Sequence, residues 1–105
     1  MRKKIATSIA NTWGAAAPVL NALGSTTRQQ ILLLFEPKEQ INIKTVAEQF
    51  NLSRTAVVHH INVLQDAGLL KGERIGKEVI MYVDWEEINK HLSQVNTLVE
   101  NNCGN

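Results

Sequence analysis

Apolar residues recur at every third or fourth position over most of the chain, which is the spacing of amphipathic α-helices. Ile5, Ile9 and Trp13 form an apolar stripe with a spacing of four residues, which predicts a first helix over residues 4–13. Gly14 weakens this helix, and Pro18 is tolerated only near the start of the next one, which Gly24 ends. The pattern therefore predicts an N-terminal helical region that is interrupted between Gly14 and Pro18.

Helix-capping residues predict two further helices in the first half of the chain. Hydroxyl and glutamine side chains over residues 25–30 have capping-box spacing, and they open a helix that Pro37 stops. Asn42 is placed to cap a short helix over residues 43–50. Both segments bury apolar residues at helical spacing, so each is expected to pack on a common core.

The next helix, over residues 54–67, has two chemically different faces. Ser53 is a good N-cap for it, and Gly68 is expected to stop it. Its inward stripe is apolar: Val57, Ile61 and Leu64. Its outward face is polar and basic apart from one valine: Arg54, Thr55, Val58, His59 and Asn62. A short helix, a tight turn and a second helix with such a face form the helix-turn-helix pattern.

After Gly68 the hydrophobic period changes from helical to two. This predicts strands over residues 69–75 and 79–83, with Gly76 and Lys77 at the turn between them. A last helix, over residues 85–100, carries an apolar stripe: Ile88, Leu92, Val95 and Val99. The predicted fold class is mainly α with one β-hairpin, in the order α-α-α-α-β-β-α.

Length and composition are those of one small domain. The 105 residues, 44% of them hydrophobic, are enough for a single modest core. We predict one domain over residues 1–105, in which residues 1–24 and 85–105 supply dimerisation helices and residues 25–84 hold the helix-turn-helix and the hairpin. Cys103 is the only cysteine, which excludes an intrachain disulfide and a zinc site made of several thiolates.

Basic residues are concentrated before the last helix. Ten of the eleven Lys and Arg residues lie in residues 1–82, whereas residues 83–105 hold one basic and four acidic residues. An α-helix fits the major groove of DNA, where arginine pairs with guanine and asparagine with adenine. We therefore predict that the outward face of the helix over residues 54–67 contacts DNA, and that Arg74 and Lys77 contact phosphates or a minor groove.

Several other side chains have more than one interpretation. His60 lies beside the apolar stripe and is expected to be packed and hydrogen-bonded, and it points about 100° away from His59, so the two cannot share a metal. Arg28 either contacts a phosphate or holds a nearby carboxylate. Trp13 and Trp85 are expected to pack at a core or interface, with an inducer pocket as the alternative.

Three segments resemble the ArsR/SmtB family of winged-helix repressors in their order and spacing. They are residues 22–32 (ALGSTTRQQIL), residues 52–69 (LSRTAVVHHINVLQDAGL) and residues 76–82 (GKEVIMY). The resemblance covers about residues 20–92 and implies a winged helix-turn-helix fold. It also implies a homodimer that binds a double-stranded DNA operator and releases it when a small inducer, often a metal ion, binds.

Metal-ligand positions of that family are not filled by the expected residues. Ile41 and Ile43 stand where metal-responsive members carry a Cys-x-Cys pair. Asp84 and Glu86 match the first ligand pair of the last helix, but Thr97 and Glu100 follow in place of histidines. We therefore predict no metal site and no cofactor, and the resemblance leaves the inducer open.

The terminal helices carry more apolar surface than a small core needs, which predicts a homodimer through the stripes of residues 4–13 and 85–100. The alternative to DNA binding is a winged helix used for protein interaction, which would present an apolar or acidic outer face on residues 54–67. No phosphate-binding glycine loop or nucleophile motif indicates an enzyme. Polar residues interrupt the apolar stretch after the basic start, so we expect a cytoplasmic protein without a membrane partner.

Overall fold

Four helices precede the β-hairpin and one follows it, in the order predicted from the sequence. The computed structural model of the chain describes residues 7–103. Within them the elements are α1 (Thr7–Leu23), α2 (Thr26–Leu33), β1 (Ile41–Asn42), α3 (Ile43–Glu48), α4 (Arg54–Asp66), β2 (Leu70–Ile75), β3 (Glu78–Val83) and α5 (Trp85–Cys103). The mainly helical winged helix-turn-helix fold is confirmed.

The first helix is continuous through both residues that predicted an interruption. α1 contains Gly14 and Pro18, so the predicted break between them is wrong. Ala16, Val19 and Ala22 are buried on one face of the helix, and this packing outweighs the poor local propensity. The carbonyl that the Pro18 ring crowds belongs to Gly14, where no Cβ restricts the backbone.

The ends of α4 follow from its capping residues. The Ser53 hydroxyl accepts a hydrogen bond from the backbone N–H three residues later at 3.1 Å. At the other end, the N–H of Leu69 donates to the carbonyl of Leu64 at 3.0 Å, and the N–H of Gly68 donates to the carbonyl of Gln65 at 2.9 Å. This pair of bonds is the Schellman motif, and Gly68 supplies its left-handed backbone with a φ of 79°.

A third strand joins the predicted hairpin. β2 and β3 pair antiparallel, and β1 pairs antiparallel with the other edge of β3, where Ile41 lies opposite Met81. The strand order is β1-β3-β2, so the predicted two-stranded hairpin is corrected to a three-stranded sheet. A two-residue strand has no hydrophobic period to detect, and its partner lies far along the chain.

One hydrophobic core holds α4 against the sheet and the last helix. The inward stripe of α4 is fully buried as predicted: Val57, Ile61 and Leu64. Met81 of β3 and Ile88 of α5 belong to the same cluster. Ile88 is only 6% exposed, which corrects its assignment to the dimer stripe. The first turn of α5 packs on its own chain, so Ile88 is covered before any partner arrives.

Candidate nucleic-acid interface

α3 and α4 are two short helices joined by a turn over residues 49–53. The Asn42 side-chain oxygen accepts a hydrogen bond from the backbone N–H of Thr45 at 2.7 Å, which starts α3 where the sequence predicts it. The two helices contact each other, and α3 also contacts β1 and β3. The helix-turn-helix is therefore held against the sheet on one side, which leaves the outer face of α4 open.

The outer face of α4 exposes the side chains that the sequence predicted as DNA contacts. Thr55, His59 and Asn62 are exposed, and their spacing of four and three residues places them on one face of the helix. Arg54 is exposed at the first turn, and Val58 is half-buried beside this face. Within residues 7–103, the exposed polar side chains of this face make no hydrogen bond or ion pair.

The hairpin formed by β2 and β3 places two basic residues near its tip. Arg74 lies on β2 opposite Val79, and Lys77 follows Gly76 at the turn. Gly76 adopts a left-handed backbone with a φ of 63°, which a tight hairpin turn requires. Both basic side chains are exposed, as expected for the wing of a winged helix.

A small cleft lies between the start of α3, the start of α4 and the wing. Its volume is about 270 Å³, and we call it the α3–wing cleft; it is lined by Asn42, Ile43, Lys44, Arg54, Lys77, Glu78 and Val79. The structure thus brings together Arg54 and Lys77, which are far apart in the sequence, whereas Arg74 does not line the cleft.

Lys44 is the cleft residue that sequence reasoning missed. It is the second residue of α3 and is exposed. Nothing in the local pattern distinguishes it from an ordinary surface lysine. Its position beside the wing follows from the pairing of β1 with β3. No pattern in the sequence predicts that pairing.

Arg28 connects the end of α1 to α4. Its Nε donates to the carbonyl of Ala22 at 2.8 Å, and a terminal nitrogen donates to the carbonyl of Asn21 at 3.0 Å. Its other terminal nitrogen lies 3.2 Å from Nδ1 of His60, which accepts a hydrogen bond from this permanent donor. Arg28 therefore holds two backbone carbonyls and an imidazole, in place of the phosphate or carboxylate considered from the sequence.

His60 is half-buried and hydrogen-bonded, which confirms the sequence prediction for this residue. Burial lowers the pKa of His60 below 6.5 because it removes water from the charged imidazolium, and the nearby charges of Arg28 and His59 lower it further. The neutral form keeps the Nδ1 lone pair that accepts the Arg28 hydrogen bond. Protonation of His60 is therefore opposed by the link between α1 and α4.

Apart from Ile5, the residues predicted for a dimer interface belong to α1 and α5, which pack side by side. Three of the predicted side chains remain exposed: Trp13 (42%), Leu92 (40%) and Val99 (45%). Val95 is half-buried. Ile5 and the side chain of Ile9 lie outside what the structure describes.

The acidic residues at the start of α5 act within the helix. The Asp84 carboxylate accepts the backbone N–H of Glu87 at 3.0 Å and so caps α5, and Glu87 lies 3.0 Å from Nε2 of His91. Between residues 7 and 103, no three His, Cys, Asp or Glu side chains gather closely enough to hold a metal ion. None of the helices described has both the length and the hydropathy to cross a bilayer.

Known sequences and structures resemble this chain over most of its length. Residues 23–73 match a helix-turn-helix domain family. The transcriptional repressor SdpR of Bacillus subtilis (strain 168) is 32% identical over 59 residues, which are 56% of this chain and 64% of that repressor. Residues 23–73, which match the domain family, include α2, α3, α4 and the first residues of β2.

Solved structures extend the likeness to the terminal helices. An ArsR-like transcriptional regulator from Rhodococcus sp. RHA1 has a TM-score of 0.78 and 26% identity, over 88% of this chain and 84% of that one. A homodimeric winged helix-turn-helix DNA-binding domain from Mycobacterium bovis, a possible ArsR-family regulator, has a TM-score of 0.70 and 18% identity, over 98% and 94%. At 18% identity the likeness concerns the fold alone.

Proposed function

We propose that the chain is an ArsR-like winged helix-turn-helix protein and a sequence-specific DNA-binding transcriptional regulator that acts as a dimeric repressor. One observation carries this proposal. α4 buries one face completely, and on the opposite face it presents exposed polar side chains that have no hydrogen-bond partner within residues 7–103. A helix of this kind fits the major groove of B-DNA, where base edges offer the missing partners. The repressor SdpR among the relatives supports repression.

Each side chain of the outer face has a role that follows from its chemistry. Asn62 carries an amide that pairs with both exposed groups of an adenine, and Arg54 forks onto a guanine or a phosphate. The small groups of Thr55 and Val58 suit the methyl of a thymine. His59 contacts the backbone at the edge of the groove, and Arg74 and Lys77 of the wing contact phosphates outside it.

The charge of this surface favours DNA over a protein partner. A winged helix that serves only protein interaction would expose apolar or acidic groups on α4, and the outer face instead carries Arg54, Thr55, His59 and Asn62. Basic side chains on the wing continue the same surface. Phosphate neutralisation supplies most of the affinity of such interfaces, so this distribution supports a nucleic-acid partner.

We propose a homodimer through the exposed apolar residues of α1 and α5. Its residues are Trp13, Leu92, Val95 and Val99, together with Ile5 and Ile9 of the N-terminal stripe. The homodimeric domain from Mycobacterium bovis has the same fold and supports this arrangement. A two-fold dimer places its two α4 helices symmetrically, so the operator is expected to be pseudo-palindromic with half-sites about one helical turn apart, or a small multiple of it.

We propose that the protein does not release its operator through a metal ion bound at the ligand positions of the metal-responsive ArsR/SmtB proteins. Ile41 and Ile43 offer no sulfur or nitrogen ligand, and no histidine follows His91 on α5. Titration of zinc, cadmium or arsenite into the DNA complex tests this statement. Stoichiometric release that is lost on changing Asp84 and Glu86 would contradict it. Since its reported relatives are bacterial transcriptional regulators, we propose that the protein acts in the cytoplasm.

The experiment that tests DNA binding is selection of duplexes from a random pool with the full chain. We expect enrichment of a pseudo-palindromic sequence that binds more tightly than a shuffled duplex of the same composition. The matched control is the double variant Thr55→Ala/Asn62→Ala, whose selection should lose the sequence preference and keep salt-sensitive binding. A pool that stays random with the wild-type protein would refute sequence-specific binding and would favour the protein-interaction alternative.

A further inference from the structure

We propose that the α3–wing cleft is a phosphate clamp, in which Lys44, Arg54 and Lys77 jointly hold one phosphate of the DNA backbone. The inference rests on the proposed function and adds to it a residue, Lys44, and a shared ligand. These three cations come from α3, α4 and the wing, and they line one cleft together with a single carboxylate, that of Glu78.

The electrostatics of the cleft call for an anion. Within the described residues, none of the three cationic side chains makes an ion pair or a hydrogen bond. The carboxylate of Glu78 faces the amide of Asn42 at 3.5 Å, so a neutral group is its nearest partner. Three cations against one carboxylate leave the cleft with an excess of positive charge. A bound anion reduces the repulsion between the cations while it gains charge-assisted hydrogen bonds.

Arg28 and Arg54 differ in their hydrogen-bond partners, and the difference also indicates a ligand at Arg54. The guanidinium of Arg28 donates hydrogen bonds to two backbone carbonyls and to His60. Arg28 therefore has a structural role. Arg54, at the start of α4, has no such partner among the described residues. An arginine without internal partners keeps its donors for a ligand.

The size and place of the cleft favour a backbone phosphate over a separate small molecule. Its volume of about 270 Å³ is at the small end of the range of small-molecule pockets, which is roughly 300–1,000 Å³. It lies between α4, which is proposed to enter the major groove, and the wing, which is proposed to contact the flanking backbone. A DNA strand that passes from one to the other crosses this cleft.

A shared phosphate has a distinctive salt signature. The slope of log K against log salt falls by about 0.9 for each phosphate contact that is lost. If the three cations hold one phosphate, the triple variant Lys44→Gln/Arg54→Gln/Lys77→Gln lowers the slope by about 0.9 per subunit. Three separate phosphates would lower it by about 2.7. The single variant Lys44→Gln is expected to weaken binding to cognate and shuffled duplexes by the same factor.

The control is Lys38→Gln, which removes the same charge from another exposed lysine, on the loop before β1 and outside the cleft. Fluorescence anisotropy over a salt series, with a duplex recovered from the selection, gives affinity and slope for each variant. Lys38→Gln should match the wild type. An affinity and slope for Lys44→Gln equal to those of Lys38→Gln would overturn the clamp, as would a loss of about 2.7 in the triple variant.

Duplexes with a single neutral methylphosphonate locate the phosphate. In the wild type, each contacted phosphate should weaken binding when it is neutralised. At one shared position per half-site, Lys44→Gln, Arg54→Gln and Lys77→Gln should each show a smaller further loss than the wild type. Sensitivity at different positions for the three variants would contradict a shared ligand.

Two further outcomes distinguish failure of the clamp from failure of the proposed DNA binding. A wild-type protein that binds no duplex refutes the proposed function, and the clamp with it. A wild-type protein that binds DNA while Lys44→Gln behaves as the control refutes the clamp alone. Inorganic phosphate, titrated into the free protein, is expected to bind only weakly. Tight binding of free phosphate that Lys44→Gln abolishes, with the DNA affinity of that variant unchanged, would assign the cleft to a free anion and overturn the proposal.

Discussion

Removing the Arg28 side-chain hydrogen bonds is expected to destabilise the fold, because Arg28 joins the end of α1 to α4. The last carbonyls of a helix have no partner inside the helix, and Arg28 donates to two of them, those of Asn21 and Ala22. The third contact, to Nδ1 of His60, ties this helix end to the helix that is proposed to read DNA. Arg28→Met keeps much of the aliphatic stem and removes all three donors.

The expected loss is about 2 kcal/mol of unfolding free energy. A hydrogen bond to a charged group contributes about 1.5–3 kcal/mol when buried and much less when water competes for it. The contacts to Ala22 and His60 are partly buried, at 2.8 and 3.2 Å, whereas the contact to Asn21 is exposed. We therefore assign about 1 kcal/mol to each of the first two and little to the third.

Urea denaturation followed by circular dichroism measures this loss. The protein concentration is kept fixed because the proposed dimer would add to the apparent stability. Arg74→Met is the matched control, since Arg74 is exposed and its side chain has no hydrogen bond in residues 7–103; it should lose less than about 0.5 kcal/mol. Arg28→Lys keeps the charge without the fork and should recover only part of the loss. Equal losses for Arg28→Met and Arg74→Met would refute the structural role of Arg28.

Three further predictions concern pH, DNA contacts and the dimer. The pKa of folded His60 is lowered below the unfolded value of 6.5, so its contribution to stability is present above 6.5 and is lost as the pH falls through the lower, folded pKa. His60→Asn keeps an acceptor but should lack this part of the loss between about pH 7.5 and 5; the same pH dependence of the urea midpoint in both proteins would contradict this. Asn62→Ala should cost about 1–3 kcal/mol of binding free energy on the selected duplex and much less on a shuffled one, whereas Lys77→Ala should weaken binding to both duplexes by the same factor. If fluorescence anisotropy gives the reverse pattern, Asn62 contacts a phosphate and Lys77 recognises a base. Leu92→Lys should give monomers in sedimentation at micromolar concentration, and an unchanged dimer would exclude this α5 stripe from the interface.

The sequence by itself determined the helix that presents the site. Ser53, the apolar spacing of α4 and Gly68 act over a few residues, and the hydrogen bonds that they predict are present in the structure. The same holds for Asn42 at the start of α3 and for the turn at Gly76. Capping, periodicity and left-handed turns are local chemistry, so a linear pattern contains them.

Tertiary structure decided what depends on contacts between distant residues. α1 runs through Pro18 because its buried face gains more from packing than the proline costs, and Ile88 joined the core because α5 packs on its own chain. The pairing of Ile41 with Met81 placed Lys44 beside Lys77 and so formed the cleft. The energies of packing and strand pairing belong to pairs of segments, and the pattern of either segment alone does not contain them.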